Sequence, residues 1–468
     1  MLRWPSLMTG KKNKIAKAPC GDHGTSLVEY GLILGVVAAV AIPGIQNLGE
    51  EISDLINGTA DAVSIASVTV SPDPDNPFDP SAFVFEVSSG TGAIFPSAGG
   101  IIEIDWGDET ANSTCTTSYV VDPGVPLICN YPSPGTYQIS ITGDLTGYGQ
   151  MYSSGYKSDI TRMIQWGDTG LTDLSYALYG ATNLTEVPLD LPGGVQKLDQ
   201  MFAYATSFND PAVSVWNTSN VSSMVGVFRG ASAFNQDLDD WNMSNVNSTE
   251  EMFLRAASFD QDLNSWDTSQ VTSMKRMFRE TPFNGDISNW DVSKVWTMQA
   301  MFRSAPDFNR DLSNWDVHNV LHFHRAFYKA SDFNQDISSW DVSRATTFDS
   351  MFYDAVAFNS DVSNWDVSGA NQFTNMFNKA DSFASDLSDW NMSSAVTANG
   401  MFYAATSFDS DLSGWDVSGI VGMDGMFRYT SSFTGDLSSW CVSSFASPPA
   451  NFSEGSAMAA EPVWGSCL

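Results

Sequence analysis

The sequence predicts a multidomain chain: an N-terminal hydrophobic α-helix, a middle β-sandwich, and an α/β solenoid of coils about 25 residues long. Three observations predict it. An apolar stretch from Gly31 to Ile45 follows a basic leader. Alternating apolar segments broken by Gly and Pro fill the region around residues 83–142. Ten tryptophans, Trp216, Trp241, Trp266, Trp290, Trp315, Trp340, Trp365, Trp390, Trp415 and Trp440, then recur at gaps of 25 residues, with one gap of 24. A fixed period of that length marks stacked units that cannot bury their apolar faces alone. The expected boundaries are a leader at 1–24, a hydrophobic helix at 25–63, a β-sandwich at 64–150, a repeat solenoid at 151–441 and a C-terminal cap at 442–468.

Composition sets the outer limits. With 468 residues, 43% apolar and 12% aromatic, the chain can fill several cores. Its net charge is −33. The leader carries Arg3, Lys11, Lys12, Lys14 and Lys17 against Asp22, so its removal would take the chain from −33 to −37. So acidic a body repels nucleic acid and anionic membrane surfaces, and suits the cell exterior. Cys20 lies in the leader, which leaves Cys115, Cys129, Cys441 and Cys467. Two pairs close in sequence read as two disulfides in a secreted protein; four free thiols are the alternative.

The N-terminal segment places its small residues, Gly24-Thr25, before the apolar stretch rather than after it. An ordinary secretory signal has the reverse order. The 21 residues from Thr25 to Ile45 would span about 31 Å as a helix, enough for a bilayer. The lysines stay on the cytoplasmic side. Glu29 is a carboxylate at the start of this apolar segment, which is costly in lipid and therefore usually functional. Thr25-Ser26-Leu27-Val28-Glu29-Tyr30 resembles the leader junction of type IV pilins, most closely the Flp-type pilins with their Glu-Tyr pair. The resemblance covers residues 10–60 and implies cleavage by a prepilin peptidase between Gly24 and Thr25. It also implies that Glu29 pairs with the freed amine, often on a neighbouring subunit, with Tyr30 completing the pattern. Pilin subunits and, before assembly, the inner membrane would be the partners. A signal anchor that never assembles is the other reading.

Ser71 to Pro80 is rich in Pro and Asp and reads as a linker. Beyond it, Phe83–Val87, Ile101–Ile104 and Gln138–Thr142 carry strand signals. Asp105-Trp106-Gly107-Asp108 and Tyr131-Pro132-Ser133-Pro134-Gly135-Thr136-Tyr137 resemble the hallmarks of a PKD-type β-sandwich, which implies a spacer role. Asp105 and Asp108 fit either turn capping or a calcium site.

The repeat consensus is Val-Thr-x-Met-x-x-Met-Phe-x-x-Ala-x-x-Phe-Asn-x-Asp-Leu-Ser-x-Trp-Asp-Val-Ser-x. It is similar to the leucine-rich-repeat variant of BspA-type bacterial surface proteins over roughly 160–441, which implies a solenoid that binds partners at a cell surface. Met-Phe, the following Phe, the Leu or Ile after Asp, and the Trp are the expected core. Asp-Leu-Ser-x-Trp reads as a short parallel strand, and Val-Thr-x-Met-x-x-Met-Phe as a helical or 3₁₀ turn.

The side chains that vary, or that repeat on the surface, are the functional candidates. Asp237, Asp262, Asp286, Asp311, Asp336, Asp361, Asp386, Asp411 and Asp436 form an acidic column that binds either amides of its own turns or calcium. Arg229, Arg279, Arg303, Tyr328, Tyr353, Tyr403 and Arg428, each just after a Phe, form a column of the side chains favoured in recognition; a solvated face is the alternative. His318, His322 and His324 share one coil, as a metal site or a pH-sensitive patch. No nucleophile elbow, zinc motif or phosphate loop is present, so the chain is not expected to be an enzyme or to need a cofactor beyond the calcium just weighed. The expected function is a pilin-like surface filament subunit whose solenoid attaches to an unidentified ligand on cells or surfaces. The alternative is a membrane-anchored surface binding protein.

Overall fold

A computed structural model describes residues 79–94, 96–107, 118–122, 125–149 and 157–467. All fall in one compact unit, Pro72–Leu468. The leader, the segment 25–63 and most of the predicted linker lie outside the described residues, as do Asp108 and Cys115.

Five strands open the unit: β1 (Phe83–Ile94), β2 (Pro96–Asp105), β3 (Ser118–Val120), β4 (Leu127–Tyr148) and β5 (Ile160–Gln165). They form one sheet in the order β3-β2-β4-β1-β5. All four pairings are antiparallel. The predicted β-sandwich is therefore corrected to a single five-stranded sheet among the described residues. The reason is the length of β4. Its 22 residues serve β1 along one edge, from Ile94↔Leu127 to Phe83↔Ile141, and β2 along the other, from Asp105↔Ser140 to Pro96↔Tyr148. One strand long enough to pair on both sides keeps the layers in one hydrogen-bonded surface. Phe83, Phe85, Ile102, Ile104, Ile139 and Ile141 are buried on it.

The repeat array grows from this sheet. Gly147 in β4 bridges to Asp173, and Arg162 in β5 bridges to Glu186. From there, single parallel bridges climb one per coil: Ser248↔Ser273, Ser273↔Thr297, Thr297↔His322, His322↔Thr347, Thr347↔Gln372, Gln372↔Thr397 and Thr397↔Gly422. Among the described residues of the array, the helical element is the 3₁₀ helix Pro211–Val215, capped by Asp210.

The predicted α/β solenoid is thus corrected to a solenoid of turns. No α-helix stands among the described elements. The segment expected to be helical is a string of β-turns. In one coil the amides of Met301, Arg303, Ala305 and Phe308 donate back to Met298, Ala300, Phe302 and Ala305. The amides between them, of Met298, Ala300, Phe302 and Ser304, donate instead to His322, His324, Ala326 and Tyr328 of the next coil. An α-helix would commit every amide to its own chain four residues back. This alternation gives half of them to the neighbour.

The alternation requires two left-handed residues per coil, four apart. They are Ala300 and Ser304 (φ 55° each), Arg325 and Lys329 (58° each), Ser350 (55°) and Asp354 (58°), and Asn375 (57°) and Lys379 (58°). Each non-glycine residue held there costs on the order of 1 kcal/mol. In two later coils the first of these positions is Gly400 and Gly425, which take it without that cost. The predicted strand, Asp-Leu-Ser-x-Trp, is also a turn, closed by Trp315 N–H donating to the Leu312 carbonyl at 3.1 Å. The Asp side chain fixes that turn, as described below. The expected N-terminal hydrophobic α-helix is not among these elements: residues 25–63 lie outside the described set, in which no helix is long and apolar enough to cross a membrane.

Aromatic rings fill the interior as three columns. Phe202 through Phe427 stack coil on coil at 5.4–5.8 Å between centroids, for example Phe278–Phe302 at 5.7 Å and Phe302–Phe327 at 5.4 Å. A second Phe column runs from Phe208 to Phe433, touching the first within each coil, as in Phe302–Phe308 at 3.8 Å. The tryptophans form the third, as in Trp315–Trp340 at 6.5 Å and 1°. Burying each ring contributes on the order of 2 kcal/mol. An edge-on ring closes each end. Trp166, packed on Phe83 of the sheet, meets Trp216 at 74°, and Phe452 meets Phe427 at 77°.

Candidate functional site

The acidic column is committed to the fold. Asp311, Asp336 and Asp361 each accept the amide two residues on, from Ser313, Ser338 and Ser363, at 2.9 Å. Asp286, Asp386, Asp411 and Asp436 do the same at 2.9–3.0 Å, and Asp237 accepts from Asp239. Asp262 accepts the Asp286 amide of the next coil at 2.7 Å. The amide and hydroxyl of Ser313 hold the Asp311 carboxyl below the ordinary carboxylate range, against the like charge of Asp336. Of the two readings weighed for these aspartates, the amide-binding one describes their geometry. No group of three His, Cys, Asp or Glu among the described residues is disposed to hold a metal ion.

Two further columns of this kind escaped the sequence reading. The Asp or Asn after a Trp caps a second turn, as Asp341 does for the Ser343 amide at 3.0 Å. The Asn after the second Phe accepts an amide from the next coil, as Asn309 does from Asn334 at 3.0 Å. The signal was the Asp-x-Ser and Phe-Asn spacing in the consensus itself.

The three histidines do not converge. His318 Nδ1 sits 2.8 Å from Asp341 Oδ2 on one turn of its coil. His322 presents its ring to the exposed Trp296 at 5.7 Å on another. Burial, then the charges of Arg325, Arg303 and His322, hold His324 below the ordinary imidazole value.

The Arg and Tyr column does come together, on the turn strings. Arg229 lies over Tyr204 at 5.6 Å and pairs with Glu251 at 2.7 Å. Arg279 pairs with Glu280 at 2.7 Å. Arg303 lies over Tyr328 at 5.1 Å, and Tyr328 stacks on Tyr353 at 4.6 Å and 8°. Arg428 lies 5.8 Å over Tyr403 and pairs with Glu454 at 2.9 Å.

Left-handed residues, which the sequence reading did not single out, add to the same stripe. Arg276 pairs with Glu251 at 2.8 Å and Arg255 with Glu280 at 2.6 Å. Arg325 and Lys329 lie 5.9 and 5.8 Å from the Tyr328 ring centre. Ten of the 21 Lys and Arg residues of the chain fall on the turn strings: Arg229, Arg255, Lys275, Arg276, Arg279, Arg303, Arg325, Lys329, Lys379 and Arg428. A chain of net charge −33 thus gathers its cations, interleaved with tyrosines, along one line.

The remaining candidates are structural or lie elsewhere. Cys441 is bonded to Cys467, and Cys129 is disulfide-bonded, with its expected partner Cys115 outside the described residues. Gly24, Thr25, Glu29 and Tyr30 also lie outside them.

A family model described as Mycoplasma protein of unknown function, DUF285, matches three overlapping stretches, residues 172–284, 279–389 and 357–464. No curated protein and no solved structure matches the chain.

Proposed function

The chain belongs to the DUF285 family, and we propose that it is a surface-displayed binding protein whose array attaches a cell to other cells or to surfaces. One observation carries this reading: the interior of the array repeats almost without change, while its cations and tyrosines are concentrated on one stripe. A scaffold needs only the repeated interior. A line of Arg and Tyr is the composition of a recognition surface.

The sequence at 24–45 supports display as a pilin-like filament subunit. Gly24-Thr25 would be the junction cut by a prepilin peptidase, and Glu29 the group that pairs with the new amine of an adjacent subunit. The disulfides fit an oxidising, extracellular setting. Binding is the role assigned to the stripe.

The test is electron microscopy of intact cells labelled with antibody to the array, alongside adhesion of cells lacking residues 172–464. Label along filaments with adhesion lost supports the whole reading. Label spread over the envelope keeps the binding role and discards the filament. Interior label with adhesion unchanged rejects both.

A further inference from the structure

The stripe is not electrostatically uniform, and its exception points to a ligand. In most coils its guanidinium groups have carboxylate partners: Arg229 and Arg276 share Glu251, Arg255 and Arg279 share Glu280, and Arg428 has Glu454. Around Tyr328 this compensation stops. Arg303, Arg325 and Lys329 surround one ring at 5.1, 5.9 and 5.8 Å. None of the three is in an ion pair among the described residues. The buried Nε atoms of Arg303 and Arg325 have no hydrogen-bond acceptor, as is also true of Arg229 and Arg428, so what sets this patch apart is its missing ion pairs. Asp349, whose charge reaches Arg325, spends an oxygen on the Thr374 amide at 2.8 Å. Like charges held close with donors unspent are destabilising unless an anion completes them.

We propose that this patch, centred on Tyr328 and Arg303, Arg325 and Lys329, is the subsite at which the array takes an anionic group of an acidic polysaccharide. The proposal rests on the binding role assigned above. The anion, a carboxylate or a sulfate ester, would accept from the Arg303 and Arg325 guanidinium groups, with Lys329 as a point charge. The stacked Tyr328–Tyr353 pair offers a rigid aromatic edge against which the apolar face of a sugar ring packs.

The backbone argues against an added peptide strand. Such a strand is held by main-chain hydrogen bonds. Here every amide from Ala300 to Ala305, and from Arg325 to Ala330, already donates within a turn or to the next coil. Recognition at this face therefore belongs to side chains. The turn-capping aspartates Asp311 and Asp336 sit on different turns of the coil.

The experiment measures binding of the purified full chain to alginate, dextran sulfate, neutral dextran and poly-L-glutamate at 50 and 300 mM salt. Two variants, R303Q/R325Q and Tyr328→Ala, are compared with a control on another turn, Arg310→Gln. Far-ultraviolet circular dichroism and melting confirm that each folds. The proposal expects binding to alginate or dextran sulfate, weakened by salt, and none to neutral dextran. R303Q/R325Q should lose ten- to a hundred-fold in affinity and Tyr328→Ala about ten-fold, with Arg310→Gln unchanged. Alginate against dextran sulfate separates carboxylate from sulfate. Three outcomes overturn it: binding to poly-L-glutamate as tight as to either polysaccharide, which would make the partner an acidic protein; full affinity in R303Q/R325Q; or no binding to any polyanion. In the last case, cells that still adhere through the array would keep the binding role and lose only this ligand.

Discussion

The indole Nε1 of Trp290 donates to the Leu263 carbonyl of the preceding coil at 2.8 Å. The same bond recurs up the array, as in Trp340 to Leu312 at 3.1 Å and Trp440 to Leu412 at 2.8 Å. The tryptophan is thus both a ring in a column and a tie between coils. Trp290→Phe keeps an apolar ring but drops the tie, and should cost about 1–2 kcal/mol. Trp290→Ala also opens a cavity and should cost about 3–5 kcal/mol. Urea denaturation of both variants checks the pair, and a Trp290→Phe variant as stable as the parent would show that the hydrogen bond contributes nothing.

The left-handed residues make a prediction of the opposite sign. Ala300 and Ala404 sit at φ 55° and 54°, where an alanine side chain is strained and glycine is not. Ala404→Gly should therefore stabilise the array by about 0.5–1 kcal/mol, against the usual direction for Ala→Gly. Ser304→Val, which puts a β-branched side chain at the same site, should destabilise it by more than that. Paired melting curves decide the matter; a lower melting temperature for Ala404→Gly would refute the turn-string geometry.

The aspartate column sets an acid limit on stability. Hydrogen bonds from the Ser338 hydroxyl and amide hold Asp336 below its ordinary pKa, and those of Ser363 and Ser388 act likewise on Asp361 and Asp386. A carboxyl lowered on folding binds fewer protons in the native state, so its stabilisation is complete above the unfolded value near 4 and disappears as pH falls through the lowered native one. Asp349, raised by burial, acts in the reverse sense and offsets a part. Asn keeps the turn-capping acceptor and cannot titrate. D336N/D361N/D386N should therefore be less stable than the parent at pH 7, where the charge-assisted caps are lost, and should lose less between pH 5 and 3. Urea midpoints across that range test the slope; parallel curves would remove the aspartates as its cause.

How much of this was legible follows from what a sequence encodes directly. Residues such as Phe302, Phe308 and Trp315 were readable as core because their period forces them onto one face. The backbone between them was not. Met298-x-x-Met301-Phe302 has helical spacing, and only the amides crossing to His324 and Ala326 make it a string of turns. Such bonds exist only once a second coil is in place. One trace was present: the left-handed positions carry Arg, Lys, Glu, Gln, Asn, Asp, Ser, Ala, Tyr and Gly, never a β-branched residue. Arg303 and Tyr328 could be singled out because they share a column. Arg325 and Lys329 could not, since their approach to Tyr328 depends on those same left-handed turns.

The cap is where the array should first come apart. Each coil is held by its neighbours, so an end coil lacks half its support. Cys441–Cys467 closes 26 residues of separation, beginning just after Trp440. Within that loop Phe452 and Trp464 meet edge-on at 4.9 Å, and Phe452 meets Phe427 of the coil below. Closing a loop of this length is worth about 3 kcal/mol. Cys441→Ser/Cys467→Ser should therefore loosen residues 427–467 without unfolding the centre. Hydrogen exchange reads this directly: protection should fall by two orders of magnitude at the amides of Phe427, Leu437 and Trp440 and stay unchanged at Phe302 and Phe327. Uniform loss along the array would mean that the coils unfold as one cooperative block and that the disulfide secures the whole stack rather than its end.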